Sequence, residues 1–364
     1  MNKILYISGD GIRDQIANKI YTKHFISDAK NYFISKEFKF LVGDCDILNF
    51  SWWFGHPRFI VKLESSGLRG TTRIKTLITK IINFISRVII YWKIKINSFD
   101  LIIFSDNLFF LDIVLIKKIK KLTSSKLILL SGVSPKYLIP QSHKESIPYF
   151  DNIFISDPGH KVEWDDLGAQ SVHTLPLSAA CPKTFQEIIN KNKDNKYYDI
   201  VFVGNLDIRL YEYRLELLNF LISRGIDIKI WTYLQNEESL ENYPLIKNNI
   251  QGSAYGKDMI HILSQSKIVL NLHYPSVPSG GNMRLFEIPL TKSLQIADRC
   301  PSEWFADGID IVLFTDKYDL LNKVNYYLIH EEERTKISNN GHKRFLSEHT
   351  YHHRVKKILN IMHR

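Results

Sequence analysis

Apolar positions along this chain follow two alternating rhythms. Short, nearly continuous apolar runs occur at Lys3–Ser8, Phe38–Val42, Phe99–Phe104, Lys126–Leu130, Asp199–Gly204, Ile228–Tyr233, Ile268–Leu272 and Ser293–Ala297. Runs this short, rich in Ile and Val and without polar alternation, predict strands buried on both faces of a parallel sheet. Between them lie stretches with helical spacing, among them Glu212–Arg224, Met259–Ser266, Asp316–His330 and Glu331–Ser347. Strand and helix alternate in two similar halves. The fold class that follows is α/β, with two Rossmann-like domains facing each other across a cleft. The stretch KTFQEIINKNKDNKYY from Lys183 to Tyr198 is polar and lysine-rich and is read as a linker. It separates an N-terminal domain, 1–182, from a C-terminal domain, 199–345, and residues 346–364 form a final helix that packs back toward the first.

The longest helical pattern runs from Arg73 to Lys95, ahead of the Phe99–Phe104 run. Ile74, Leu77, Ile78, Ile81, Ile82, Ile85 and Ile89 recur at helical spacing, with Lys and Arg between them. Charge sharpens this reading: residues 51–98 hold nine Lys/Arg against one acid, Glu64, and carry most of the chain's formal net charge of +10. A basic amphipathic helix suits an anionic membrane surface. Packing of the same apolar face on the N-terminal sheet accounts for the pattern equally well. Nucleic acid is not expected as a partner, since no RNA- or DNA-binding motif accompanies the charge.

Composition excludes several classes. Over 364 residues, 45% apolar and 24% charged content is that of a folded protein with room for about two domains. The opening MNKILYISGDG has too short an apolar run for a signal-peptide core, and the most apolar long segment, Leu77–Trp92, is broken by Lys80 and Arg87. Cys45, Cys181 and Cys300 are odd in number and far apart, which argues against a disulfide framework or a zinc site. A cytoplasmic location, peripheral at the inner membrane face, is the expectation.

The stretch KIVLNLHYPSVPSGGNMRLFEIPLTKSLQIAD, Lys267–Asp298, carries the most chemistry. A buried strand runs into a turn containing Gly280, Gly281 and Asn282, and a short helix starts at Met283-Arg284. Such a helix start offers backbone N–H groups and a positive dipole end to an anion. Arg284 and Glu287, three apart, share a helix face, so a guanidinium can address phosphate while a carboxylate accepts from sugar hydroxyls. An ordinary α/β connection has the same outline. Pro289 predicts that the helix is short or kinked. Other polar residues follow strands in the same manner: Gly9, Asp10 and Gly11 after the first, Asp106 after Phe99–Phe104, and Arg209 after Asp199–Gly204. Arg209 and Arg214 are expected near the crevice of Arg284. Asp44-Cys45-Asp46 has the D-x-D spacing that can hold a divalent ion against a diphosphate. It arrives too early in the chain for a nucleotide site, and no metal is assigned. Trp52, Trp53, His56 and Arg58 form an aromatic and cationic loop suited to a sugar or lipid-linked acceptor, or to core packing. His349, His352 and His353 are close together but are expected to face solvent or a domain interface rather than a metal.

R-x-F-E-I-P at Arg284–Pro289, followed by a hydrophobic strand ending in Asp298 and by P-x-x-x-F-x-x-G at Pro301–Gly308, resembles the C-terminal half of the CgeB-like, spore-maturation-type glycosyltransferases. Those enzymes have the GT-B fold and are related to glycosyltransferase family 4. The segments from Tyr149 to Ala179 and from His349 to Arg354 resemble the same family, so the likeness runs from about Tyr149 to the C-terminus. It implies a nucleoside diphosphate sugar as donor, with Glu287 at the ribose, Arg284 and Arg209 at the diphosphate, and Tyr255 and Gly256 in the loop against the base. The first 148 residues match only in pattern. In GT-B enzymes the first strand-helix loop faces the cleft, which makes Gly9, Asp10 and Gly11 candidates for touching the acceptor or donor sugar, though a plain tight turn explains them as well. Asp106, at a strand's carboxyl end, joins Asp10 and Arg284 as a candidate catalytic group. No cofactor beyond the donor is required, and the implied acceptor is a cell-surface glycan or a lipid-linked glycan. The departure is Ser279, eight residues before Glu287, where many family 4 retaining enzymes have another Glu. Stereochemistry is therefore open. An inactive nucleotide-sugar-binding scaffold, or a nucleotide-sugar epimerase of the same fold, is the alternative.

Overall fold

The computed structural model describes residues 2–8, 29–50, 71–105, 113–132, 134–136, 141–191, 196–232, 240–273 and 278–363. Its contacts divide the chain into two compact units. Among the described residues, the first comprises those from 2 to 177 together with 354–363, and the second those from 178 to 353.

The first unit is built on six parallel strands, β1 (Lys3–Ser8), β2 (Asp44–Asn49), β3 (Leu101–Ser105), β4 (Lys126–Ser131), β5 (Asn152–Ile155) and β6 (Val172–Thr174), in the order β2-β1-β3-β4-β5-β6. Alternate residues enter opposite faces, as the two-residue repeat of a strand requires. Leu5, Ile7, Ile102, Phe104, Leu127 and Leu129 join one core with Ile90 and Ile94 of helix α2 (Thr71–Ile96) and Leu115, Ile116 and Ile119 of α3 (Ile113–Leu122). On the other face Tyr6 meets Phe38 of α1 (Ala29–Val42), with ring centroids 6.0 Å apart. The run Phe38–Val42, expected as a strand, is thus the last turn of α1, and the strand is the next segment, Asp44–Asn49. Asp44 and Asp46 accordingly lie in the edge strand itself rather than in a loop after it. Lys3 is 3.8 Å from Asp44 and Lys93 is 2.8 Å from Asp46. Each carboxylate is paired with a lysine.

The second unit repeats the plan with β7 (Tyr198–Val203), β8 (Ile228–Trp231), β9 (Ile250–Gly252), β10 (Ser266–Asn271), β11 (Leu294–Ala297) and β12 (Val312–Leu313), all parallel, in the order β12-β11-β10-β7-β8-β9. Ile200, Phe202, Ile268, Leu270, Leu294 and Ile296 face one core; Val201, Val203, Val269 and Ala297 face the other. Helices on both sides cover the sheet: α4 (Pro182–Lys191), α5 (Ile208–Ser223), α6 (Gly256–Ser264), α7 (Arg284–Leu290), α8 (Lys317–Ile329) and α9 (Glu331–Glu348). The segment read as a linker contains α4, whose Phe185 and Ile189, four apart, are buried in the core with Ile260 and Leu263. A lysine-rich sequence hid an amphipathic helix, and 182–191 is part of the second unit. The last helix, α10 (Tyr351–Met362), has Arg354–Arg364 grouped with the first unit, where Lys126 Nζ donates to the Met362 carbonyl at 3.1 Å.

Candidate functional site

In an open parallel sheet, ligands gather outside the carboxyl ends of the strands where the strand order reverses. In the second unit that point lies between β7 and β10, whose chain connections run to opposite sides: β7 leads to its neighbour β8, whereas β10 leads to β11. Arg284 sits there. It opens α7, and its Nε donates to the carbonyl of Val203, the last residue of β7, at 3.3 Å. Its Nη1 contacts Met259 Sδ on α6 and reaches Glu287 Oε2 at 2.5 Å. Arg284 and Glu287 therefore do share a helix face and bond to each other. Both side chains are largely buried, at 19% and 12% exposure. Burial raises the Glu287 pKa above its ordinary value, because the neighbouring guanidinium only partly offsets the loss of water.

The helix end itself differs from the expected anion cradle. Asn282 turns its Oδ1 onto the Leu285 N–H at 3.0 Å and its Nδ2 onto Asn271 Oδ1 at 2.8 Å, which caps α7 and ties it to the end of β10. The Phe286 and Glu287 amides bond to the Met283 carbonyl at 3.0 and 3.1 Å. The amides of Leu285, Phe286 and Glu287 are thus used internally, and α7 has only seven residues. Side chains add the positive charge that a ligand meets there. Gly281 is small for a packing reason, since a Cβ there would collide with Leu285 and press on Trp304. Gly280 is buried in the same turn.

Arg214 and Arg209 exchange their expected importance. Arg209 lies in the first turn of α5, not in a loop, and its exposed guanidinium is folded back onto Asp207, the N-cap of that helix. Arg214, one turn on, is buried: Nε donates to the Leu272 carbonyl at 2.8 Å and Nη1 to the Asn205 carbonyl at 2.9 Å, with Tyr211 stacked 4.0 Å away. Loss of water lowers its pKa to about 10, leaving it charged at neutral pH, and the charge of Arg284 adds to that lowering. Arg214, not Arg209, shares the electrostatic neighbourhood of Arg284. Tyr255 and Gly256 begin α6 with Gly256 at φ +50°, and Met259 in that helix's first turn is the residue touching Arg284.

A second pair was not anticipated. His273 follows β10 and Asp298 follows β11, and the two strands are neighbours with Asn271 opposite Ala297. Asp298 Oδ1 accepts from His273 Nδ1 at 2.5 Å and from the His273 amide at 3.1 Å, and Arg299 is 3.1 Å from Oδ2. Burial alone would raise the Asp298 pKa, but bonds from His273 and the charge of Arg299 outweigh it and leave the carboxyl below its usual range. The signal was present as a His and an Asp closing two apolar runs, yet their partnership needs the strand order. His349, expected at solvent or an interface, is buried, with Nε2 on the Trp304 carbonyl at 2.8 Å and its ring against Phe286 and Phe305. Among the described residues no group of three or more His, Cys, Asp or Glu is arranged to hold a metal.

Gly9, Asp10, Gly11 and Asp106 lie outside the described residues, as do Trp52, Trp53, His56 and Arg58. The strands leading into the first four are adjacent, since Ser8 pairs with Ser105 at the reversal of strand order between β1 and β3.

Comparison with known proteins follows this geometry. Residues 214–360, which include Arg284, Glu287, His273 and Asp298, match a family model described as glycosyl transferase-like. Solved structures align over the whole chain. A glycosyltransferase from Rickettsia africae matches with a TM-score of 0.62 at 14% identity, covering 100% of this chain and 98% of its own. An α,α-trehalose 6-phosphate synthase from Burkholderia multivorans gives 0.65 at 9% identity with 100% and 98% coverage. Alr3699/HepE of Anabaena, solved with UDP and glucose, gives 0.58 at 9% identity with 100% and 99% coverage. The fold is GT-B. No curated protein matches the chain. In the GT-B frame, the reversal of strand order between β7 and β10 puts the Arg284–Glu287 pair and the buried Arg214 at one crevice of the C-terminal Rossmann-like unit.

Proposed function

We propose that the protein is a glycosyltransferase of the CgeB-like kind, which moves a sugar from a nucleoside diphosphate donor to a glycan or lipid-linked acceptor. The observation that carries this reading is the Arg284–Glu287 pair at the carboxyl ends of β7 and β10, 2.5 Å apart and largely shielded from water. A donor brings its own anion. Its diphosphate takes the place of Glu287 on the Arg284 guanidinium, and the released carboxylate accepts from the two ribose hydroxyls. Charge-assisted bonds of this type contribute about 1.5–3 kcal/mol each before desolvation is counted. The Tyr255–Gly256 turn supplies the surface for the base. Arg214 holds a second positive charge behind the diphosphate and fixes the end of β10, while His273 and Asp298 hold the exits of β10 and β11 in register. As the bond between sugar and diphosphate breaks, negative charge grows on the departing phosphate, and the two guanidiniums stabilise it without a metal ion. In this reading Asp44 and Asp46, paired with Lys3 and Lys93, take no part in the transfer, and activity should survive EDTA.

The alternative, a donor-binding protein without transfer, separates by slow donor hydrolysis in the absence of acceptor, which the transferase reading requires. Thermal shift with UDP, GDP, ADP, CMP and TDP tests the site. One nucleotide at about a hundred times its Kd should raise stability by about 2.7 kcal/mol. Arg284→Ala should lower turnover more than donor affinity. No shift with any nucleotide, or full binding by both Arg284→Ala and Glu287→Gln, would remove the basis of the reading.

A further inference from the structure

The 26-residue helix α2 has two apolar faces, and among its described side chains one face is buried and the other exposed. Ser86, Ile90 and Ile94 are buried, and the two isoleucines belong to the core of the first sheet. On a helix turning by 3.6 residues, Leu77, Ile81, Phe84, Val88 and Trp92 fall on the opposite side in one stripe. All five face solvent, with Leu77 59%, Phe84 66% and Trp92 51% exposed, and Ile96 extends the stripe. From Leu77 to Ile96 the exposed line is about 28 Å long at 1.5 Å per residue. A continuous exposed apolar line of this length on a folded protein marks a contact surface.

Charge selects the occupant. α2 and α3, which pack against each other, together hold ten Lys/Arg and no Asp or Glu. Lys93 and Lys120 are engaged by Asp46 and Asp151. Lys80 and Lys95 lie on the exposed side, and Lys95 stands 4.6 Å over the Trp92 ring. Val114 on α3 is also exposed. A second copy of such a surface would bring like charges together. A nucleic-acid backbone would satisfy the lysines and leave Leu77, Phe84 and Trp92 in water. An anionic bilayer takes both, with apolar side chains entering the headgroup boundary and lysines meeting lipid phosphates.

We propose that this outward face of α2, with α3 beside it, seats the protein on an anionic lipid bilayer. The helix lies in the plane of the interface and does not cross it; among the described residues no helix is long and apolar enough to span. Seating depends on the first unit alone and is independent of donor binding by the second.

Sedimentation of the full chain with vesicles tests it. With phosphatidylglycerol mixed into phosphatidylcholine the protein should pellet at low salt and be released at about 1 M salt, where charges are screened beyond about 3 Å. Phosphatidylcholine alone should retain at least about tenfold less. Trp92 should move its fluorescence to shorter wavelength on binding, and Trp92→Phe should remove that component. The double variant Phe84→Asp with Trp92→Asp, exposed positions whose change should leave circular dichroism and melting unaltered, should lose at least about tenfold in vesicle affinity. Lys80→Glu with Lys95→Glu should do the same without touching an apolar group. Equal pelleting by parent and both double variants would overturn the proposal. So would a parent that is dimeric in solution and becomes monomeric when Phe84 and Trp92 are changed.

Discussion

The two ends of the second sheet both hold a buried cation, and they treat it oppositely. At the carboxyl end Arg284 has a carboxylate partner, Glu287, and Arg214 lies near Asp298. At the amino end Lys196, just before β7, is met among the described residues by neutral oxygens: the Ser264 carbonyl at 2.9 Å, Ser293 Oγ at 2.9 Å and the Thr291 carbonyl at 3.5 Å. Burial first, then the charges of Arg334 and Lys292, press the Lys196 pKa down to about 8. A lysine can shed its proton in such a place; an arginine keeps its charge, even when burial lowers its pKa to about 10. The carboxyl end therefore retains permanent positive charge for an anion, while the amino end uses its cation as a clip for three segments of chain.

The largest effect expected is at Asp298. Asp298→Ala would strand the buried His273, whose Nδ1 and amide both donate to Asp298, and breaking a buried pair of this kind costs about 3–5 kcal/mol. Chemical denaturation should show it, together with a loss of nucleotide-induced stabilisation because the β10 exit loosens. A stable variant with parental nucleotide binding would mean that this end is not organised by the pair.

Lys196 sharpens the contrast through pH. Its folded pKa of about 8 lies below the ordinary 10.5, so between those values the unfolded chain holds a proton that the folded one has released. Stability then rises with pH across that window, by up to about 1.4 kcal/mol per unit and about 3 kcal/mol in all. Lys196→Met lacks this titration, so the parent should gain on the variant from pH 8 to 10.5 and show no differential change below 8. A flat difference would show that the amine is solvated.

A smaller change, about tenfold in donor affinity or about 1.4 kcal/mol, is expected for Glu287→Gln. The raised pKa carries a second consequence. Because the folded protein binds this proton more tightly than the unfolded chain, ionised Glu287 is a cost at neutral pH that fades on acidification. Glu287→Gln should then hold its stability near pH 7 while losing donor affinity, the signature of a binding residue, and Asp298→Ala should lose both.

Smallest of all is Lys292, whose φ of +56° is the left-handed region disfavoured for any side chain. Lys292→Gly relieves about 1 kcal/mol of strain and gives back a similar amount in chain entropy, for a net change within about 1 kcal/mol. Removing that charge should also move the Lys196 titration upward, since Lys292 helps to lower it.

Sequence alone was enough for what local periodicity carries. The near-continuous apolar runs, from Lys3–Ser8 to Leu294–Ala297, mark strands covered on both faces, and their alternation with helices leaves a doubly layered α/β architecture as the packing solution. Arg284 and Glu287 were legible as partners because three residues on a helix is itself a contact distance. Local pattern misled where two structures share one signature. An apolar run at the end of an amphipathic helix looks like a strand at Phe38–Val42, and Phe185 and Ile189 among lysines look like a linker. Two faces of α2 overlapped in one apolar pattern, and only the packed sheet decides which is buried and which stays outside. The remaining decisions belong to tertiary structure because they join residues far apart in the chain: Arg214 with Leu272, His273 with Asp298, and Lys196 with Thr291 and Ser293. Each depends on which strands are neighbours, and strand order arises from how whole elements bury their faces, a property no window along the sequence contains.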